Sequence, residues 1–213
     1  MASDATPPFV LARCTPDDLV EIIDLQYHCF PDFVRLKFMG CHSTAELPRY
    51  REITLKHMLE NPHDVWIAVR DTETGRCVAA SNWRLYVNGE GGARDADQPP
   101  PWLEGEELEQ SRSLIASMNE MRSKHMPGPF IHLHICFTHP DYRRRGAGGM
   151  MMQWGCALAD QLFVPGWIEA SEEGNFLYES FGFYEFAKIA SEGATYMKRD
   201  ARTQPLVGGR AKG

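Results

Sequence analysis

Several features are missing from this 213-residue chain, and each absence removes a class of protein. The six cysteines form no CxxC pair and no zinc-knuckle spacing, so reduced thiols are expected rather than a metal or disulfide framework. No apolar run reaches the roughly 18 residues that a membrane-spanning helix requires. The start, MASDATPPF, has no basic segment followed by an apolar one, so no secretory signal is expected. We therefore predict a protein of the cytosol or nucleus, with cytoplasmic as the preferred location, and with neither a membrane partner nor a bound metal.

Positive charge is also in short supply. Lys and Arg number 22 against 29 Asp and Glu, and the formal net charge is −7. A protein that neutralises phosphates along a nucleic acid needs a basic face, so nucleic acid is not expected as a partner. An acidic surface fits a cationic or amine substrate, although most proteins of this charge are simply soluble.

The apolar residues, 43% of the chain, suffice for one α/β domain of ordinary size. We predict that residues 9–200 form this domain, with a helical insert at 88–128. Residues 1–8 and 201–213 are predicted to be disordered. Strands are predicted at 9–14, 64–71, 77–87, 130–138, 166–171, 181–190 and 194–200, and helices at about 16–30, 44–59, 103–126, 146–163 and 172–181.

The strand FIHLHICFT at 130–138 has a period of two. Strict alternation would place two sets of side chains on opposite faces of the sheet. One set is Ile131, Leu133, Ile135 and Phe137, and the other is His132, His134, Cys136 and Thr138.

The segment HPDYRRRGAGG at 139–149 follows this strand and leads into a helix. The first N–H groups of a helix have no intrahelical partner, and the helix dipole makes that end positive. Glycine allows an anion to approach these amides, and arginine adds charge-assisted hydrogen bonds. The segment therefore predicts a binding site for a diphosphate. A solvated arginine run before a glycine-rich helix cap is the alternative, and neither a Walker loop nor a dinucleotide fingerprint is present.

The spacing Arg143-x-x-Gly146-x-Gly148 resembles R/Q-x-x-G-x-G/A, the acetyl-CoA pyrophosphate motif of the GNAT superfamily of N-acetyltransferases. The segment SEEGNFLYESFGF at 171–183 resembles a second signature of that family, a tyrosine followed by Gly-Phe. The two motifs cover about 138–183, and the order of predicted elements agrees over about 9–199.

The resemblance implies an α/β (α+β) GNAT fold. Its central mixed, mostly antiparallel seven-stranded sheet splays between the fourth and fifth strands, and helices flank it. The predicted helical insert lies between the third and fourth strands. In this family the pantetheine arm of acetyl-CoA lies in the splay.

Acetyl-CoA is the cosubstrate that the resemblance implies, without a metal. Many members carry Asn where Ser171 stands here, so the transfer to that position is less direct. The residues implied to bind acetyl-CoA are Phe137, Thr138, Arg143, Arg144, Arg145, Gly146, Ala147, Gly148, Gly149, Ser171 and Tyr178.

The reaction that the resemblance implies is direct attack of an amine on the thioester. The family motif places Tyr178 beside the sulfur as the acid, since a neutral phenol is available at pH 7. His132 and His134 are candidates for the base because a histidine pKa suits proton transfer near neutral pH. Both could instead be core residues or, with a third ligand, bind a metal. Glu169 is a weaker candidate.

The predicted function is transfer of an acetyl group to a primary amine of a small molecule, by a monomer or homodimer. A peptide or protein amine is an alternative acceptor, and a non-catalytic acyl-CoA-binding protein is an alternative class. The insert helix, with Met118, Met121 and Met126, is either a lid over the acceptor or an ordinary solvated helix.

Overall fold

A computed structural model describes residues 8–87, 97–188 and 194–203. The termini predicted to be disordered fall largely outside these ranges, as does the first part of the predicted insert, residues 88–96. The principal elements are β1 (Phe9–Arg13), α1 (Leu19–Cys29), α2 (Asp32–Val34), α3 (Leu47–Glu60), β2 (Asp64–Asp71), β3 (Cys77–Tyr86), α4 (Gly105–His125), β4 (Phe130–Thr138), α5 (Ala147–Leu162), β5 (Gly166–Ala170), α6 (Glu172–Glu179), β6 (Tyr184–Lys188) and β7 (Thr195–Arg199).

The predicted elements are all present, with ends that shift by a few residues. Asp18 accepts hydrogen bonds from the Thr15 amide (2.7 Å) and hydroxyl (3.0 Å), in a 3-10 turn that leads into α1. The connector between the first two predicted long helices contains further helical turns. Its chain forms the single turn α2 and then a π-helical turn at Arg35–Met39, which ends at Gly40 with φ +61°.

The seven strands form one mixed sheet in the order β1-β2-β3-β4-β5-β7-β6. Every neighbouring pair is antiparallel except β4 and β5, which run parallel. These two strands pair only where Ile131–Leu133 faces Gly166–Ile168, although β4 continues to Thr138. The predicted splay between the fourth and fifth strands is therefore confirmed.

Helices cover both faces of the sheet, and each face has its own apolar cluster. Helix α5 packs on one face, where Met151 and Met152 are fully buried. Gly155 allows this helix to approach the sheet, because a Cβ there would lie 2.2 Å from the Trp83 ring. Helix α1 packs on the opposite face, where Ile22 lies in a cluster with Trp66.

The predicted strict alternation of β4 is wrong, because a β-bulge interrupts it. Ile135 pairs with Asn82 and Leu133 pairs with Trp83, so His134 is an extra residue without its own partner on β3. One inserted residue reverses the faces of the residues that follow. Leu133 consequently packs in the cluster beneath α5, whereas Ile135 packs with the cluster beneath α1.

Among the described residues, no helix has an apolar stretch long enough to cross a bilayer. All six cysteines are free thiols, and four of them are buried.

Candidate active site

A cavity of about 1980 Å³ lies where β4 separates from β5. One end is bounded by the start of α5 and by α6. The other end extends beneath α1 and α3 toward the insert helix α4. A volume of this size exceeds the roughly 300–1,000 Å³ of an ordinary small-ligand pocket, so it can hold two substrates together.

The start of α5 forms one wall of the cavity. Gly146 precedes the helix with φ +100°, a conformation that favours glycine, and no side chain caps the helix. The amides of Ala147, Gly148 and Gly149 belong to the first turn and have no carbonyl partner within the helix. The positive end of a 16-residue helix is therefore open at this wall.

The three predicted arginines separate into two groups. Arg143 and Arg144 line the cavity, and Arg144 has an unusual φ of +61°. The Arg143 guanidinium lies 3.6 Å from the Glu173 carboxylate and 3.4 Å from the Thr138 carbonyl oxygen. Arg145 is not among the cavity-lining residues, and its guanidinium lies 5.0 Å from the centre of the Tyr142 ring.

The free part of β4 forms a second wall. The cavity contacts Phe137 and Thr138, which lie beyond the last residue that pairs with β5. The Phe137 side chain packs edge-on against Phe30, with ring centres 5.7 Å apart. Ser171 is exposed at the start of α6 and also lines the cavity.

Tyr178 lies on α6 with only 8% of its surface exposed, and it also lines the cavity. Its hydroxyl interacts with the Cys136 thiol on β4. Burial and the Cys136 thiol raise the pKa of Tyr178 well above its usual value, so the phenol is neutral at pH 7. Burial likewise raises the pKa of Cys136, from 9.0 to about 12.

The two candidate histidines have different surroundings. His132 is fully buried and is not among the cavity-lining residues, and its Nε2 lies 2.6 Å from Glu169 Oε2. His134, the bulged residue, lines the cavity, and its Nε2 lies 3.9 Å from Asp97 Oδ1. Burial and the Arg84 guanidinium hold the pKa of His134 well below 6.5, so it is neutral at pH 7.

A buried network of charges surrounds these histidines. Arg122, 1% exposed, bridges Asp97 and Glu169 at 3.1 Å each, and Arg84 bridges Asp97 and Asp64. Burial opposes ionisation of Glu169, but Arg122 and His132 together lower the pKa of its carboxyl. Glu169 is therefore an ionised carboxylate whose two oxygens are already engaged by Arg122 and His132.

Sequence reasoning missed most of this network. The one available signal was the charge of Arg84 and Glu169 within otherwise apolar strands. Arg122 gave no signal, because it lies in a helix rich in charged residues. Among the described residues, no group of three His, Cys, Asp or Glu side chains could hold a metal ion. The predicted absence of a metal stays a prediction.

Comparison with known proteins adds to this geometry. No protein-family model matches the chain. A curated relative, the probable acyltransferase SID5 of Ajellomyces capsulatus, is 23% identical over 111 residues, covering 51% of this chain and 74% of the relative.

Solved acetyltransferases share the architecture. A structure described as histone acetyltransferase HPA2 and related acetyltransferase, from Corynebacterium glutamicum, is 19% identical with a TM-score of 0.60, covering 94% of this chain and 100% of that one. A mosquito arylalkylamine N-acetyltransferase-like protein is 11% identical with a TM-score of 0.61, covering 90% and 99%. A GNAT family N-acetyltransferase of Escherichia coli, in complex with CoA, is 9% identical with a TM-score of 0.54, covering 93% and 84%. The opened sheet and these likenesses show that the chain has the fold of the GNAT N-acetyltransferases.

Proposed function

We propose that this protein transfers an acetyl group from acetyl-CoA to a primary amine of a small molecule. The observation that carries the proposal is the free stretch of β4 beyond Leu133, which lies between the open start of α5 and the buried phenol of Tyr178. A strand that lacks a neighbour in the middle of a sheet has unpaired amide and carbonyl groups, and a ligand can satisfy them.

The residues at the start of α5 fit a diphosphate. The unpaired amides of Ala147, Gly148 and Gly149 supply donors, and the guanidinium groups of Arg143 and Arg144 supply charge. No Cβ projects at Gly146 or Gly149, so the backbone there is open to close approach. Arg145 contributes only positive charge at longer range to diphosphate binding, because its guanidinium stacks on Tyr142.

The free edge of β4 fits the pantetheine arm. We assign the main chain at Phe137 and Thr138 to pairing with amides of an extended ligand, and Ser171 to the opposite wall, because all three residues line the cavity. When bound, acetyl-CoA supplies a thioester whose carbonyl carbon an amine attacks. An amide of β4 can donate to the carbonyl oxygen as it gains negative charge.

We assign His134 as the group that takes a proton from the incoming amine. A lysine-like amine has a pKa of about 10.4, so only about one molecule in 2,500 is neutral at pH 7. His134 is neutral and faces the cavity, so it can pass the first proton to solvent. His132 is buried behind it against Glu169, and we assign it a positioning role.

We assign Tyr178 as the acid that protonates the leaving sulfur, and its buried, neutral phenol at the cavity wall supports this role. As the N–C bond forms and the C–S bond breaks, the nitrogen loses its second proton and the sulfur gains one. Tyr178 gives its proton to the sulfur and regains one that the nitrogen releases. Burial raises the pKa of both Cys136 and Tyr178 at this wall, so the phenol keeps its proton until a stronger base, a leaving thiolate, forms beside it.

A small molecule is the acceptor that the cavity favours. Residues of α4 line its acceptor end, and two hydrogen bonds hold the insert against the chain at 37–40: Ser111 donates to the Lys37 carbonyl (2.6 Å), and Trp102, just before α4, donates to the Gly40 carbonyl (2.8 Å). The mosquito protein of similar fold is named for arylalkylamines, which supports the same class. A peptide amine would need an open groove across this covered end.

The proposal is tested by thiol release from acetyl-CoA with a panel of small primary amines and a panel of peptides. We expect turnover with a small amine and formation of its N-acetyl product. CoA binding without any turnover would indicate an acyl-CoA-binding protein. Turnover with peptides alone would overturn the assignment of the acceptor.

A further inference from the structure

Two amide side chains at the acceptor end carry buried oxygen atoms without a hydrogen-bond partner among the described residues. They are Asn82 on β3 and Gln26 on α1, each 1% exposed, and both line the cavity. An unpaired buried acceptor is unfavourable, so a native protein that keeps two in one cavity calls for an explanation.

Asn82 has a fixed orientation beside the bulge. It pairs across the sheet with Ile135, the residue that follows His134, and so its side chain lies on the face that α1 covers. Its Nδ2 donates to Asp64 Oδ1. A carboxylate can only accept, so the nitrogen must face Asp64 and the unpaired Oδ1 must face away from it.

Gln26 contributes a second oxygen from the helix above. Its Nε2 donates to the Tyr50 hydroxyl at 3.2 Å, and its Oε1 has no described partner. Tyr50 and Asp64, the partners of the two amides, line the same cavity as Gln26 and Asn82 do. The Gln26–Tyr50 pair on the helices and the Asn82–Asp64 pair on the sheet therefore belong to one cavity wall lined by α1, α3, β2 and β3.

The charge of this end favours a cation. The network holds three carboxylates (Asp64, Asp97 and Glu169) against two guanidinium groups (Arg84 and Arg122), which leaves one negative charge in excess. The remaining lining is mixed: it includes polar residues such as His57, Glu60 and Asn61, and a set of large apolar side chains. The apolar set is Phe30, Phe33, Phe38, Trp102, Leu114 and Met118.

We propose that Gln26 Oε1 and Asn82 Oδ1 bind the N–H groups of the acceptor, and that the acceptor enters as an ammonium ion attached to an apolar, ring-sized body. This inference rests on the proposed function, and it names the substrate class and two specificity residues of the same site. Asn82 pairs across the sheet with Ile135, the residue that follows His134. An ammonium bound at Asn82 is therefore next to the proposed proton acceptor.

The test is isothermal titration of 2-phenylethylamine into the protein saturated with CoA, with 2-phenylethanol as the neutral probe. We expect the amine to bind at least about tenfold more tightly than the alcohol, because hydrogen bonds to a charged group are the stronger ones. Gln26→Met and Asn82→Leu should each weaken amine binding about tenfold. Gln26→Glu, which keeps the acceptor and adds charge, should bind the amine at least as tightly as the wild type does.

Gln110→Met on the exposed side of α4 is the matched control, and it should change neither affinity. CoA affinity should stay within about twofold in every variant, since none of these side chains lies at the CoA end. Equal binding of amine and alcohol, or undiminished amine binding by Gln26→Met, overturns the inference while the proposed function stands. Failure of the wild type to bind CoA overturns the proposed function and this inference with it.

Discussion

Removing the hydroxyl of Tyr178 separates catalysis from folding. In Tyr178→Phe the phenyl ring still packs in the cluster beneath α5, and the protein loses only the interaction between the Tyr178 hydroxyl and the Cys136 thiol. One lost hydrogen bond costs about 0.5–1.5 kcal/mol of folding stability. The fold and CoA binding should therefore survive, while the leaving sulfur loses its proton donor.

The size of the effect follows from the neighbouring thiol. Burial raises the pKa of Cys136 from 9.0 to about 12. The same burial disfavours any thiolate beside Cys136. Without the proton of Tyr178 the sulfur must leave as a thiolate, so we expect kcat to fall by about 10³, within the range of about 10²–10⁴ that is usual for general acid catalysis.

The assay is continuous thiol release with saturating acetyl-CoA and the best amine of the panel, together with CoA titration by calorimetry. Tyr184→Phe is the control, since its hydroxyl bonds Asp200 at 3.0 Å away from the cavity. We expect wild-type kcat for the control and unchanged CoA affinity for both variants. A Tyr178→Phe enzyme with kcat within about threefold of the wild type would refute the assignment of Tyr178 as the acid.

Three further predictions concern the charge network, the base and the packing of α5. Arg122→Met should lower the free energy of unfolding in urea by about 3 kcal/mol, because Asp97 and Glu169 lose a buried positive partner while each keeps a second one, Arg84 and His132. Arg112→Met, which removes an exposed pair on the same helix, should lower it by less than about 1 kcal/mol, and equal losses would contradict the role of the network. The pKa of His134 is lowered below 6.5, so its neutral, basic form is present at pH 7 and is lost as the pH falls through the lowered pKa. His134→Leu should reduce kcat/KM about 10²-fold and remove the fall in kcat/KM at acidic pH that protonation of His134 causes. An unchanged pH–rate profile would exclude His134 as the base. Gly155→Ala should lower the urea unfolding free energy by about 1–3 kcal/mol through overpacking against Trp83, and a neutral effect would contradict the close approach of α5.

The order of helices and strands was predictable from the sequence, because the local spacing of apolar residues indicates each of them. The apolar repeat of 19–29 predicts α1, and the run at 130–138 predicts β4 with its observed ends. The π-helical turn at Arg35–Met39 was missed, because its length and hydrogen bonding depend on contacts with α4, including the Ser111 hydrogen bond to Lys37.

The bulge at His134 had no sequence signal. Strict alternation over nine residues predicts a regular strand, and only the register against β3 reveals the extra residue. The faces assigned to Ile135 and Phe137 were consequently wrong. The bulge also explains why the two histidines differ, since His132 is enclosed by the sheet and α4 while His134 lies at the cavity wall.

The CoA end of the site was accessible to sequence reasoning, whereas the acceptor end was not. Backbone amides at a helix start need only a local pattern, so Gly146 and its neighbours were found from one segment. Asn82 and Gln26 come from distant elements, and they become a pair only when α1 packs on the sheet. The motif did not predict the orientation of Arg145, whose side chain packs on Tyr142.

The measurement that tests the central claim most directly is a crystal structure of the protein with CoA. We predict diphosphate oxygens within about 2.7–3.2 Å of the amides of residues 146–149, and the pantetheine arm paired with β4 beyond Leu133. Coenzyme A bound elsewhere, with β4 and β5 closed upon each other along residues 134–138, would contradict the account.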